Sequence, residues 1–262
     1  MERIYTIELH DVTLGYGGRV LVADANVGFG WGELTALIGR NGTGKSTLLR
    51  TIAALSKPQK GVVTINGRDV ALLTMKEVAS QIAFVSTDDV RVQNLHVWDV
   101  VSLGRAPYTN WVGRLTEEDE AKVREALRLV GMDGFAEASM DSLSDGERQR
   151  VMIARALAQD TPIILLDEPT AFLDLPNKYE ICLLLRKLAH KEGKSILFST
   201  HDLSIAIELC DTIAMIEGGE FHYGTAEMLI ESGEMGRIFE RTQIEFDREK
   251  GNVRLKNDFF SK

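Results

Sequence analysis

The segment GRNGTGKST, from Gly39 to Thr47, carries the clearest chemical pattern in this sequence. It has the spacing G-x-x-x-x-G-K-[ST] and lies between a short apolar stretch, ELTALIG, and a helical pattern, GKSTLLRTIAAL. Glycines let a backbone curl until several N–H groups point at one phosphate, and a helix start adds positive potential there. The pattern predicts a loop that binds nucleotide phosphates. The alternative is a glycine-rich turn before a helix.

Two side chains of this phosphate loop have predicted contacts of their own. Lys45 is a cation that reaches the β- and γ-phosphates, and the hydroxyl of Ser46 is a ligand for Mg²⁺. Backbone N–H groups along the loop surround the phosphates. The predicted nucleotide-binding residues of this segment are Gly39, Arg40, Asn41, Gly42, Thr43, Gly44, Lys45, Ser46 and Thr47.

A second candidate is the stretch IILLDEP, in which four aliphatic residues precede Asp167 and Glu168. A buried strand of this kind brings carboxylates to the carboxyl edge of a sheet, where ligands bind in α/β folds. Asp167 is predicted to hold Mg²⁺, mostly through water, and Glu168 to polarise a water for attack on the γ-phosphate. A strand that ends in a polar turn at Pro169 is the alternative, which the phosphate loop earlier in the chain disfavours.

The segment SLSDGERQR, Ser142 to Arg150, has the pattern of a helix start. Ser144 lies three residues before Glu147, which is the spacing of a capping box, and an apolar helical run follows. The same letters also resemble an altered phosphate-sensing motif. These two interpretations do not exclude each other.

The elements that position these residues alternate between strands and helices. YTIELHDVTL with the turn GYGGR, and then GVVTING and QIAFVS, are typical of strands. The strands PIILLDEP and SILFSTHD enclose a helical pattern, NKYEICLLLRKLAHKEG, and this βαβ order predicts a parallel sheet. We expect Pro58 to end the helix that follows the phosphate loop.

The middle of the chain has helical spacing in three stretches, LHVWDVVSLG, EEDEAKVREALRLVG and DGERQRVMIARALAQ. Thr116 is predicted to start the second helix and Gly131 to stop it. The chain beyond Thr225 is interpreted as a helix followed by a weak hairpin. The predicted buried face of the second helix contains Ala121, Val123, Leu127 and Val130.

Composition narrows the functional classes. The chain has 262 residues, of which 44% are apolar and 26% charged, with a net charge of −9. This charge disfavours broad binding to nucleic acid or to anionic membranes. Cys182 and Cys210 form no CxxC pair, so we expect neither a disulfide framework nor a zinc site. From the charged start MERIYTIELHDV we expect no signal peptide, and no apolar run has the length that a bilayer span needs.

Taken in order, these motifs resemble the ATP-binding-cassette (ABC) ATPases. The resemblance rests on the phosphate loop, LSDGERQR, ILLDEPTAFLD and STHDL, and it covers nearly the whole chain. It implies a P-loop NTPase core of α/β class, with an antiparallel β subdomain and an inserted α-helical subdomain, all in one domain over residues 1–262. The implied parts are a nucleotide-binding core, a helical subdomain and a C-terminal extension, at residues 1–86 with 161–224, 87–160 and 225–262.

The resemblance also implies roles for three further residues. Tyr16 matches the aromatic residue that stacks on adenine, Asp174 the loop aspartate that links two sites of a dimer, and His201 the histidine that contacts the γ-phosphate. The alternatives are a strand-end tyrosine packed on the core, a helix N-cap, and an ordinary histidine after a strand. With Lys45 and Glu168, His201 forms the expected catalytic set.

In this family two subunits pair head to tail, so we expect a homodimer with shared ATP sites. Ser144 and the N–H of Gly146 would then face the γ-phosphate held by the partner copy. The capping box of Ser144 and Glu147 would keep that helix start rigid. Asp145 stands where a glycine is common, and its carboxylate is predicted to point away from the phosphate.

The stretch VVSLGRAPYTNWVGRLTEEDEAKVREALRLVGM is similar to the corresponding region of importers for iron–siderophore complexes, haem and cobalamin. This similarity implies membrane permease subunits as partners, contacted through Thr87–Trp111, and indirectly a substrate-binding protein. It also implies a cytoplasmic location, peripheral on the cytoplasmic face of the membrane. In the alternative, three aromatic residues of this region pack the helical insertion, namely Trp98, Tyr108 and Trp111.

One family feature is missing. Thr87 stands where a glutamine that contacts Mg²⁺ and the attacking water is expected, and Gln93 follows six residues later. Asp88 or Asp89 is a candidate to approach the metal instead.

Four other classes compete with the importer. A soluble ABC ATPase acting on ribosomes or DNA usually has two cassettes or long coiled coils, which this chain lacks. A small-molecule kinase gives no reason for LSDGE or STHD, and an exporter half would carry a fused membrane span. An inactive structural subunit is disfavoured because Lys45, Asp167, Glu168 and His201 are all present.

Overall fold

The computed structural model describes residues 5–86, 94–109, 113–240, 242–248 and 251–256. The strands within these ranges are β1 (Tyr5–Tyr16), β2 (Arg19–Gly30), β3 (Leu34–Gly39), β4 (Lys60–Ile65), β5 (Arg68–Asp69), β6 (Ile82–Val85), β7 (Ile163–Leu166), β8 (Ser195–Ser199), β9 (Thr212–Glu217), β10 (Glu220–Gly224), β11 (Ile244–Asp247) and β12 (Asn252–Leu255). The α-helices are α1 (Lys45–Ile52), α2 (Met75–Gln81), α3 (Val97–Ser102), α4 (Glu117–Leu129), α5 (Asp145–Ala158), α6 (Leu175–Glu192), α7 (Leu203–Leu209), α8 (Ala226–Glu231) and α9 (Glu234–Arg237).

The central sheet has the strand order β10-β9-β3-β8-β7-β6. All neighbours in it run parallel except β10, which pairs antiparallel with β9. Every residue of β3, β7 and β8 is buried, as expected for parallel strands covered on both faces. The predicted parallel sheet is confirmed.

A second, antiparallel sheet has the order β2-β1-β4-β5. Its long hairpin turns at Gly17 and Gly18, which both have positive φ, the conformation that glycine adopts without a steric cost. The inner face of this sheet packs on α1, where Leu48, Leu49 and Ile52 are fully buried. Together the two sheets give the α/β fold with an antiparallel β part that the sequence predicts.

Helices α3, α4 and α5 lie in the chain between β6 and β7, two strands that are neighbours in the central sheet. They share a continuous apolar core with the central sheet and α6. These three helices are thus an insertion between two neighbouring parallel strands of the central sheet. The exact subdomain boundaries stay a prediction.

The predicted start and stop of α4 and the predicted elements of the tail are confirmed. Thr116 caps α4, its hydroxyl accepting a hydrogen bond from Asp119 N–H, and Gly131 ends the helix with φ +72°. The tail contains α8 and α9, followed by the β11–β12 hairpin, as expected. Within the described ranges, none of the helices combines the length and the apolar character needed to cross a membrane.

Two details of the predicted helices are wrong. Helix α1 ends at Ile52 rather than at Pro58, because Ala54 turns into the left-handed region and Leu55 N–H bonds back to the Arg50 carbonyl at 2.8 Å. In α4, Ala121 is exposed, because it lies only two positions before Val123 and therefore points to another side of the helix. The buried face contains Val123, Ala126, Leu127 and Val130.

A buried ion pair joins α4 to the end of the α3 segment. Arg105 Nε lies 2.9 Å from Asp119 Oδ1, and both side chains are almost fully buried. Arg105 also donates to the Ala158 carbonyl at 2.8 Å, and its guanidinium lies 4.1 Å from the centre of the Tyr108 ring. Hydrogen bonds from the N–H and the hydroxyl of Thr116 hold the pKa of Asp119 below its usual value. Of the three residues in the aromatic-packing alternative, Trp98 is partly buried against the core, Tyr108 stacks on Arg105 but is 41% exposed, and Trp111 lies outside the described residues.

Replacing Asp119 with alanine should lower the free energy of unfolding by about 3–5 kcal/mol, because Arg105 would be left buried without its partner. Urea denaturation at pH 7 measures this loss, and Glu117→Ala in the exposed first turn of the same helix is the control. The pKa of Asp119 is lower in the folded chain than in the unfolded chain. The stability that Asp119 contributes is therefore present when the pH is above the ordinary Asp pKa of about 3.9, and it is lost as the pH falls below that value. Equal stability of the two variants at pH 7 would contradict the prediction.

Candidate functional site

The carboxyl ends of three neighbouring strands carry the predicted nucleotide residues. The phosphate loop follows β3, Asp167 and Glu168 follow β7, and His201 follows β8, which lies between the other two. Leu37 pairs with Ser199, and Leu166 pairs with Phe198, so the three strands end at nearly the same level. The structure therefore brings these residues together at one sheet edge, where ligands bind in such folds.

The backbone of the phosphate loop adopts conformations that suit glycine. Gly39, Gly42 and Gly44 have φ of 153°, 77° and 114°. A side chain at Gly39 would meet the Ile216 carbonyl at 2.5 Å, so this position has no space for a Cβ. Around Gly42 the space is open. The loop thus curls around an accessible concavity at the start of α1, as phosphate binding requires.

The side chain of Lys45 lies inside this loop. Its Nζ donates to the carbonyls of Gly39 at 2.9 Å and Arg40 at 3.2 Å, and the residue is buried. Burial lowers the pKa of Lys45, while the nearby carboxylates of Glu168 and Asp167 raise it. The ammonium group is therefore held by two loop carbonyls and lies within electrostatic reach of two carboxylates.

A buried hydroxyl joins the two acidic residues. Ser199 Oγ donates to Asp167 Oδ1 at 2.7 Å and accepts the backbone N–H of Glu168 at 2.8 Å. Ser199 is fully buried and Asp167 is nearly so. Glu168 has φ +50°, an uncommon conformation for a residue with a side chain, and this contact helps to hold it. No sequence pattern marks Ser199, because only the β7–β8 pairing places it beside the acids.

The side chains of His201 and Glu168 are in direct contact. His201 Nε2 lies 2.7 Å from Glu168 Oε1, and both groups are partly exposed to solvent. The alternative of an ordinary histidine after a strand does not account for this pairing. Of the expected catalytic set, His201 and Glu168 touch each other, and Lys45 lies within electrostatic reach of Glu168.

The segment Ser142 to Arg150, called the signature segment below, forms a second group at the adjoining starts of α5 and α6. Ser144 caps α5 in a full capping box, in which Ser144 N–H and Oγ donate to Glu147 at 2.9 and 2.7 Å. Gly146 is buried, and a Cβ there would lie 3.1 Å from the Asn177 amide oxygen of α6. Asp174 caps α6 by accepting Asn177 N–H at 3.1 Å, so its alternative as an N-cap is confirmed.

The side chain of Asp145 is engaged on its own helix. It pairs with Arg148 at 2.8 Å, and Arg148 also donates to the Leu143 carbonyl at 3.0 Å. The carboxylate of Asp145 remains largely exposed. That this carboxylate points away from a partner's phosphate stays a prediction.

Tyr16 lies at the tip of the β1–β2 hairpin and is 62% exposed, so the alternative in which it packs on the core is wrong. The hairpin packs against the phosphate loop, where Leu21 Cβ lies 3.2 Å from the position that a Cβ on Gly44 would occupy.

The side chains of the phosphate loop differ in exposure: Arg40, Asn41 and Ser46 are exposed, and Thr43 and Thr47 are partly exposed. The candidates Thr87, Asp88, Asp89 and Gln93 lie outside the described residues.

A cleft of about 160 Å³ opens beside the phosphate loop and His201. Gly39, Arg40 and His201 line this cleft together with Ile238 and Phe239. These last two residues follow α9, far along the chain from every motif. They are not among the predicted site residues, because no local sequence signal marks a tail residue that folds back to a sheet edge.

Comparison with known proteins agrees with this geometry. The family model described as "ABC transporter" matches residues 22–171. An uncharacterized ABC transporter ATP-binding protein of Methanocaldococcus jannaschii is 40% identical over 96% of this chain and 87% of its own length. The iron(3+)-hydroxamate import ATP-binding protein of Bacillus subtilis is 37% identical over 90% of this chain and 88% of its own length.

Among solved structures, a dimeric bacterial ABC transporter cassette superposes with a TM-score of 0.72 at 31% identity, covering 84% of this chain and 98% of the other. The phosphate loop, the acidic strand end and the histidine strand end described above thus occur in a fold of known class. The chain belongs to the ABC transporter family as one of its ATP-binding proteins, and it is an ATPase.

Proposed function

We propose that this chain is the ATP-binding subunit of an importer, in which two copies pair head to tail around two molecules of ATP. ATP hydrolysis would power uptake of a metal chelate of the iron–siderophore, haem or cobalamin type through membrane permease subunits. The observation that carries the hydrolytic part is the 2.7 Å contact between His201 and Glu168 at the mouth of the phosphate loop.

Each of these side chains has a separate role in ATP hydrolysis. Glu168 polarises the attacking water and receives its proton, since its carboxylate lies at the open edge of the site. Lys45 leaves a loop carbonyl and neutralises charge on the β- and γ-phosphates. His201 exchanges its contact with Glu168 for the γ-phosphate when substrate is bound, and Tyr16 stacks on adenine from the adjacent hairpin.

The residues present fit a Mg²⁺ ion. Asp167 is a buried carboxylate held by Ser199, and Ser46 offers an exposed hydroxyl at the start of α1, which is the oxygen donor set that Mg²⁺ prefers. When bound, the ion would neutralise charge on the phosphates. The contact from Ser199 keeps the Asp167 carboxylate oriented toward the loop.

The signature segment supports the two-copy arrangement. The start of α5 places Ser144, exposed and rigidly capped, on a surface of its own chain, and a helix start favours a phosphate. Pairing head to tail would bring this surface to the phosphate loop of the second copy, with Asp174 near the junction. The dimeric cassette among the similar structures supports an assembly of two copies.

The import direction and the cargo class follow from similarity. A relative named for iron(3+)-hydroxamate import covers most of this chain. We infer permease subunits as direct partners, a substrate-binding protein as an indirect one, and a place on the cytoplasmic face of the membrane. The rival function is that of an ABC ATPase acting on ribosomes or DNA. Identifying the proteins that co-purify with this chain decides between the two functions. A polytopic permease would support the importer, and a ribosome would overturn it.

Replacing Glu168 with glutamine should leave ATP binding intact and slow ATP turnover at least about 100-fold, because the amide cannot accept a proton from water. Turnover by the purified chain with Mg·ATP, together with nucleotide binding, measures both parts. Glu192→Gln, an exposed residue at the end of α6, is the control. Near-normal turnover by the Glu168 variant would assign the base to another group.

Replacing Ser199 with alanine should lower the free energy of unfolding by about 1–3 kcal/mol and also lower kcat, because Glu168 N–H and Asp167 each lose a hydrogen bond. Ser195→Ala is a matched control on the same strand. Its buried hydroxyl also makes two hydrogen bonds, donating to the Gly30 carbonyl at 2.7 Å and accepting from Thr6 at 3.0 Å. We expect Ser195→Ala to lose stability but keep kcat; an equal kcat in both variants would contradict the role of Ser199.

Replacing Asp145 with glycine should leave the ATPase rate within about fivefold of the parent, because an exposed ion pair contributes only about 0–1 kcal/mol. Steady-state turnover at saturating ATP tests this, with Asp145→Asn as a control that removes charge and keeps shape. A large rise in both variants would indicate that the carboxylate points at the γ-phosphate.

A further inference from the structure

The imidazole of His201 has little to hold it besides Glu168. Within the described part of the chain, its one polar contact is the 2.7 Å approach of Nε2 to Glu168 Oε1. Under the proposed function the imidazole leaves Glu168 for the γ-phosphate when ATP is bound. During that exchange no hydrogen bond within the chain fixes the ring, so the side chains around it determine how far it can turn.

The cleft of about 160 Å³ beside His201 is lined mainly by apolar side chains. These side chains offer no hydrogen bond to an imidazole. A ring that turned toward them would therefore lose a polar partner without gaining another, which is unfavourable. The apolar residues that line the cleft are Ile38, Leu203, Ile238 and Phe239.

Ile238 and Phe239 come from the tail, but their position is well fixed. Phe239 N–H donates to the Gly236 carbonyl at 3.0 Å, and the Phe239 carbonyl accepts from the N–H and the hydroxyl of Thr242 at 3.0 and 2.9 Å. Met235 in α9 is fully buried, and residues three and four positions further along a helical turn lie on the same side. Ile238 and Phe239 accordingly pack against the apolar core and are partly buried.

A cluster of charged and titratable side chains connects α9 to β10 directly before these two residues. Arg237 pairs with Glu220 of β10 and, at 2.9 Å, with Glu234 of α9. His222 of β10 lies between the same two carboxylates, with Nδ1 3.3 Å from Glu234 and Nε2 3.4 Å from Glu220. Arg237 immediately precedes Ile238, so this network fixes the chain where it enters the cleft.

We propose that Ile238 and Phe239 are positioning residues for ATP hydrolysis, whose side chains limit the rotation of the His201 imidazole and keep it at the mouth of the phosphate loop. This inference rests on the role of His201 under the proposed function. The two residues act through His201 rather than on the substrate. Removing their volume enlarges the cleft, and the imidazole then spends less time in the productive orientation.

The first test is steady-state ATP turnover by the full chain, measured below the unfolding temperature of every variant. Ile238→Ala and Phe239→Ala should each lower kcat at least about tenfold, because a displacement of roughly 1 Å near reacting groups can slow a reaction about 100-fold. The KM for ATP should stay within about twofold of the parent, since the phosphate loop is unchanged. Phe239→Leu, which keeps most of the volume, should recover most of the kcat.

Ile230→Ala is the matched control. Ile230 of α8 is also partly buried against the same apolar core, but it does not line the cleft. Its replacement removes the same atoms as Ile238→Ala, so we expect lower stability with the kcat of the parent. Equal kcat in the Ile230, Ile238 and Phe239 variants would overturn the positioning role.

The second test observes the imidazole itself by NMR spectroscopy. The chain has five histidines, so labelled histidine gives few ring signals, and the signal lost in His201→Gln is that of His201. In the ATP-free chain this signal should shift or broaden in Ile238→Ala and stay unchanged in Ile230→Ala. Ile238→Ala is used because losing the phenyl ring of Phe239 would shift nearby signals by itself. An unchanged His201 signal in Ile238→Ala would count against the positioning role.

His201→Ala separates this inference from the proposed function. If that variant keeps the kcat of the parent, the role of His201 fails, and the positioning role fails with it. If it loses turnover while Ile238→Ala and Phe239→Ala keep the kcat of the parent, only the positioning role is overturned.

Discussion

Parallel pairing of β3, β8 and β7 determines which side chains share the site. Ser199 lies opposite Leu37 on one side, and its neighbour Phe198 lies opposite Leu166 on the other. A slip of one residue in β8 would turn Ser199 to the opposite face of the sheet and remove the bridge to Asp167. The phosphate loop, the acids and the histidine therefore depend on one register, which the burial of all three strands enforces.

Positive and negative side chains lie close together at the carboxyl edge of the central sheet. Lys45 is buried, which disfavours its charged form, and the carboxylates of Asp167 and Glu168 oppose that effect. Two loop carbonyls accept hydrogen bonds from the ammonium group. The donors and acceptors at this edge are thus held in place by contacts within the chain, an arrangement of the kind that limits reorganisation during a reaction.

The two groups of site residues occupy different surfaces of one chain. Lys45, Glu168 and His201 surround the phosphate loop, whereas Ser144 and Asp174 cap the adjoining starts of α5 and α6. Each of these helix starts is fixed by the side chain of its own N-cap residue. A division of this kind suits a symmetric pair, because each copy then offers one surface and receives the other.

The sequence alone determined the features that depend on neighbouring residues. The phosphate loop, the acidic strand end and the capping boxes at Thr116 and Ser144 each involve side chains a few positions apart, so spacing and residue type were sufficient. Where the local signal was weaker, prediction failed: Pro58 was a less important stop than the left-handed turn at Ala54.

Tertiary structure alone decided the rest. The bridge from Ser199 exists because strands far apart in sequence are adjacent in the sheet, and the cleft exists because Ile238 and Phe239 fold back from the tail. Such contacts join residues that no short pattern connects, because their energy comes from packing and pairing across the whole chain.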